Sequence, residues 1–68
     1  MTAAAARVEV MIERWTIAGA TDYRWSVWRD GKRLAMGGPH PSFEASEADA
    51  RAACRKALGR EPDRVTRL

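Results

Sequence analysis

From Val8 onward, apolar and polar side chains alternate, with Val8, Val10 and Ile12 set against Glu9 and Glu13. A period of two is the signature of a half-buried strand. Met11, Trp15 and Ile17 hold the opposite phase. Either both faces of this strand are partly covered, or a bulge near Glu13-Arg14 switches its phase. Ala18-Gly19-Ala20-Thr21-Asp22 reads as a loop. The run Tyr23-Arg24-Trp25-Ser26-Val27-Trp28-Arg29 is rich in β-formers, Asp30-Gly31 is a type I′ turn signal, and Lys32-Arg33-Leu34-Ala35-Met36 resumes the alternation. A two-residue turn at 30–31 sets Arg29 opposite Lys32, Trp28 opposite Arg33, Val27 opposite Leu34 and Trp25 opposite Met36. Tyr23, Trp25, Val27, Leu34 and Met36 then share a buried face, and Arg24, Ser26, Trp28, Arg33 and Ala35 share the other.

Gly37-Gly38-Pro39-His40-Pro41 is expected to end the strand. A helix follows, with Ser46 and Asp49 spaced as a capping box and Gly59 as its stop. Ala50, Ala53, Cys54, Ala57 and Leu58 form its apolar stripe, and Glu47 and Arg51 are spaced to pair across one turn. The small stripe lets the helix lie close to a sheet that supplies the bulk. The pattern predicts an α+β fold: a three-stranded antiparallel sheet, β-β-β-α, packed on one helix. Residues 1–6 read as a disordered, Ala-rich tail and 7–59 as the single domain. Residues 60–68 are a C-terminal tail or a short fourth, edge strand.

Composition narrows the classes. Sixty-eight residues with only ten Leu, Ile, Val and Phe leave a small core, because a chain this short buries only about 60% of its unfolded surface. Association into a homodimer, through the first strand or the helix, is one way to gain more. Multi-domain enzymes, transmembrane proteins, disulfide scaffolds and repeat arrays are excluded. Cys54 is the single cysteine, so no internal disulfide and no cysteine cluster for zinc can form; it reads as a small buried apolar residue. The N-terminus does not read as a signal peptide, and a cytoplasmic location is expected.

Charge changes the picture more than its total of +3 suggests. Residues 23–42 carry Arg24, Arg29, Lys32 and Arg33 against Asp30 alone, as much net charge as the whole chain. A basic hairpin with Trp28 on its outer face is a candidate surface for a polyanion. The cations would neutralise phosphates, a two-stranded ribbon fits a DNA major groove, and an indole can stack on an unpaired base. The competing reading is a solvated face on which Trp28 and Arg33 form a cation–π pair. His40, lone and between two prolines, reads as a solvated side chain. No residues point to catalysis, a metal or a cofactor.

The run from Tyr23 to Arg33, with Gly37-Gly38, Phe43 and Ser46-Glu47-Ala48-Asp49-Ala50, resembles the arm-type DNA-binding domains of phage integrases and is similar to the plant AP2 domain. The similarity covers about 30 residues. In those families the cap residue lies two after the Phe, whereas Ser46 is three after Phe43, and Pro39-His40-Pro41 is extra. The resemblance implies a non-catalytic module that reads DNA with its sheet, through Arg24, Trp28 and Arg33. The sequence therefore supports two functions. One is nucleic-acid binding through Arg24, Trp28, Arg29, Lys32 and Arg33. The other is a protein-binding or inhibitory module of phage or mobile-element type, acting on a host protein through the same surface or a free strand edge.

Overall fold

The computed structural model describes residues 6–68. Four strands and one helix follow in the order β1 (Val8–Ile17), β2 (Ala20–Arg29), β3 (Lys32–His40), α1 (Phe43–Leu58) and β4 (Arg64–Arg67). The strands form one sheet in the order β3-β2-β1-β4, antiparallel except for the parallel β1–β4 pair. The expected α+β architecture is thus present, with residues 64–67 as the fourth strand. Of the tail expected over 1–6, residues 1–5 lie outside the described residues, and the Ala6 carbonyl accepts a hydrogen bond from Arg60 at 3.2 Å.

β1 and β2 pair without a break from Val8↔Arg29 to Ile17↔Ala20, so no bulge interrupts β1. Val8, Val10 and Ile12 point into the core, while Met11, Trp15 and Ile17 take the other face. Ala20, Thr21 and Asp22 belong to β2 rather than to a loop. The reversal occurs at Ala18-Gly19, both with positive φ (52° and 79°), the backbone of a type I′ hairpin. Ala is a poor residue for that conformation, which is why the turn is hidden in the sequence.

The Asp30-Gly31 turn forms as expected, with φ of 50° and 79°. Arg29↔Lys32 and Trp28↔Arg33 pair as anticipated, but the register then slips: Val27 faces Ala35, Ser26 faces Met36 and Trp25 faces Gly37. Leu34 is the extra residue of a bulge, and neither it nor Met36 joins the core; both are exposed. Trp25 supplies the reason. A Cβ at position 37 would stand 2.5 Å from its indole Cζ2, so only glycine can lie opposite it, and Met36 in that place would clash. β3 also runs on through Gly37-Gly38-Pro39 to pair His40 with Tyr23, instead of ending at the glycines.

The helix begins one turn earlier than the Ser46–Asp49 spacing predicts. Ser42 is the N-cap, its hydroxyl accepting from the Ala45 amide at 3.1 Å, and Gly59 closes the helix in the left-handed conformation. Ser46 lies inside the helix, fully buried, and donates to the Tyr23 carbonyl at 3.4 Å. Ser46, Ala50 and Cys54, four apart, form the buried stripe. Ala53 and Leu58 pack at its margin, and Ala57 is exposed. Small side chains let the helix sit close on Val8, Val10, Ile12, Trp25 and Val27. The Glu47–Arg51 pair forms at 3.0 Å.

β4 is fastened at its start by Asp63, whose carboxylate accepts from the Val8 amide at 2.8 Å and whose own amide donates to the Val8 carbonyl. β1 has β2 along one edge throughout and β4 along the other over residues 9–12, so residues 13–17 have a strand neighbour on the β2 side alone. The helix covers one face of the sheet. The opposite face is left open.

Candidate nucleic-acid interface

Register places the open face row by row. At the end nearest the Asp30-Gly31 turn, Arg33, Trp28, Glu9 and Arg64 lie side by side across the four strands. Met36, Ser26, Met11 and Thr66 form the next row. Arg24 and Glu13 follow, and then Asp22 and Trp15.

Of the five residues anticipated for binding, the fold brings together three. Arg24, Trp28 and Arg33 line one shallow depression of about 660 Å³, along with Glu13, Trp15 and Met36. Arg29 and Lys32 pair with each other at the turn, in the alternate phase, and are exposed beside the depression rather than within it. Trp15 and Met36 were not legible as part of this surface. Met36 was expected on the buried face and the bulge at Leu34 moves it to this one, while Trp15 comes beside Arg24 only through the β1–β2 pairing.

Two contacts shape the depression. The indole Nε1–H of Trp28 donates to Ser26 Oγ at 2.8 Å. Ser26 lies two residues back on the same face, so this bond lays the ring along β2, and Ser26 is buried as a result. At the other end the Arg24 guanidinium sits 4.8 Å from the centroid of the Trp15 ring and binds the Asp22 carboxylate at 3.0 Å. The cation–π contact on this face therefore joins Arg24 to Trp15, not Arg33 to Trp28.

Charge on and around the face is unevenly spent. Arg7 engages Glu9 at 2.8 Å, and Arg24 engages Asp22. Arg51, Arg55, Arg60 and Arg67 are tied to carboxylates of the helix and the C-terminal segment. Among the described residues Arg14, Arg29, Lys32, Arg33, Lys56 and Arg64 have no carboxylate partner, and of these Arg29, Lys32 and Arg33 are adjacent at the turn. The nearby Asp30 carboxylate accepts from the Arg7 amide at 2.9 Å instead of pairing with them.

His40 departs from its expected solvated loop position. It lies on β3, and its Nε2 is 2.9 Å from Asp49 Oδ2, the oxygen that also accepts from Trp25 Nε1 at 3.0 Å. The hydrogen bond from His40, and then that from Trp25, hold the Asp49 carboxyl below its usual range. This trio fastens the helix to β2 and β3 on the core side and is separate from the open face. Cys54 is buried, and desolvation raises its thiol pKa, which suits an inert core residue. No described helix is long and apolar enough to cross a membrane. No known protein family, curated protein or solved structure matches the chain.

Proposed function

We propose that this protein is a non-catalytic module that binds nucleic acid on the open face of its sheet. The observation that carries the reading is Trp28: an indole laid along the sheet by its bond to Ser26, with Arg33 beside it and two further unpartnered cations, Arg29 and Lys32, at the adjoining turn. Single-stranded nucleic acids are bound by sheets that offer aromatic platforms for bases and cations for phosphates. One base stacked on an indole contributes about 1–3 kcal/mol.

Tryptophan fluorescence titration with duplex and single-stranded oligonucleotides at several salt concentrations tests this. Engagement of Arg29, Lys32 and Arg33 by phosphates predicts a log–log salt slope of about −2 for single strands. Arg33→Glu should weaken binding about tenfold or more at low salt. Absence of binding at low salt, or indifference to Arg33→Glu, overturns the reading.

A second reading rests on a different observation. The same side of the sheet exposes Trp15 (42%), Ile17 (57%) and Met36 (66%), apolar surface of the kind that protein partners cover. A host protein recovered with the wild-type chain and lost with Met36→Glu, in nuclease-treated extract, favours that alternative.

A further inference from the structure

We propose that the depression seats one guanine of a single strand, with the base held against the Trp28 indole and its Watson–Crick edge read by Glu13. This rests on the nucleic-acid reading above and names the ligand of that same site.

Glu13 is the feature that the general reading does not use. Its carboxylate lines the depression with Trp15, Arg24 and Trp28, is exposed, and has no cationic partner among the described residues although Arg24 is its register neighbour. Arg24 is instead committed to Asp22 and the Trp15 ring. An unpaired acid on this face repels phosphates, which disfavours a duplex laid flat across the sheet. It also accepts hydrogen bonds and donates none.

That chemistry selects among bases. Guanine presents two adjacent donors, N1–H and the 2-amino group, which match the two oxygens of one carboxylate. Adenine and cytosine each set a single amino group beside an acceptor nitrogen, and thymine flanks its one N–H with two carbonyls. An acceptor-only partner is therefore satisfied fully by guanine alone. The depression, at about 660 Å³, is within the range of small-ligand sites. Arg33, at one end, is placed for the phosphates, with Arg29 and Lys32 beyond it.

The test uses the full chain and nine-nucleotide oligothymidylates that carry dG, inosine, dA or dC at the centre. Inosine keeps N1–H and lacks the 2-amino group. The dG strand should bind about tenfold tighter than the others, the discrimination one good bidentate pair supplies. Glu13→Gln should erase the difference between dG and inosine and raise affinity for plain oligothymidylate, because it removes the charge that repels phosphates. If dG and inosine bind alike, or Glu13→Gln keeps the preference, the guanine assignment is wrong and the nucleic-acid reading stands. If no strand binds at low salt, both fall.

Discussion

Gly37 lies against the indole of Trp25 so closely that no larger residue fits, and this contact decides the register of half the β2–β3 hairpin. A Cβ at Gly37 would approach Cζ2, Cε2 and Nε1 of Trp25 to between 2.5 and 2.9 Å. The ring cannot retreat cheaply, because its Nε1–H is bonded to Asp49 on the helix. Gly37→Ala should therefore destabilise the fold by about 1–3 kcal/mol, the usual cost of overpacking a filled core. Urea denaturation measures it, and a loss under about 0.5 kcal/mol would show that the indole yields.

Asp49 joins sheet to helix, and its carboxyl is held below the usual range by the bonds from His40 and Trp25. A depressed carboxyl contributes stability that is present above its unfolded pKa, near about 3.9, and is lost as pH falls through its folded value. Asp49→Asn should make the acid limb of the stability profile shallower. It should not flatten it, because Glu47, Glu61 and Asp63 are shifted in the same direction. Urea midpoints between pH 2 and 6 give the comparison; an unchanged acid limb would remove Asp49 from this role.

Ala18 occupies the left-handed region at a φ of 52°, where a side chain with a Cβ costs about 1–2 kcal/mol. Asparagine tolerates that region. Ala18→Asn should raise stability by about 0.5–1 kcal/mol, read as a higher melting temperature with oligonucleotide affinity unchanged. A fall would mean that the turn draws strength from elsewhere, such as the 3.0 Å bond between Thr16 and Thr21 across the hairpin.

The capping role expected of Ser46 belongs to Ser42. Ser42→Ala removes the acceptor for the Ala45 amide and should cost about 1 kcal/mol. Ser46→Ala removes only the long bond to the Tyr23 carbonyl, 3.4 Å, and should cost less. Thermal unfolding of the two variants ranks them, and the reverse order would put the cap back at Ser46.

What the sequence made legible follows from how local each signal is. Asp30-Gly31 names its own turn, Gly59 its own stop, and the Val8-Val10-Ile12 alternation its own inward face, because each depends on neighbours a few residues away. The helix start was misplaced because Ser46 and Asp49 have the spacing of a cap, whereas Ser46 is buried beneath the sheet inside the helix and Ser42 caps it. Leu34 and Met36 looked like core residues because apolar side chains usually are; here the uncovered face is apolar too, so polarity could not assign the side. The packing of Trp25 against position 37 made that assignment, and such a contact has no trace in spacing. Trp15 and Glu13 reach Arg24 only through the β1–β2 pairing, and the Ala18-Gly19 turn that sets it carries a weak signal.

The sheet's two outermost strands have a common consequence. β4 is four residues long, with an arginine at each end, and β3 begins with Lys32-Arg33, bulges at Leu34 and runs through Gly-Gly-Pro before its last residue, His40. Short length, like charge, irregular backbone and a missing amide all discourage another chain from extending the ladder sideways. Lateral addition is thus discouraged along β3 and β4, and the unguarded length of border is the stretch of β1 beyond β4, residues 13–17.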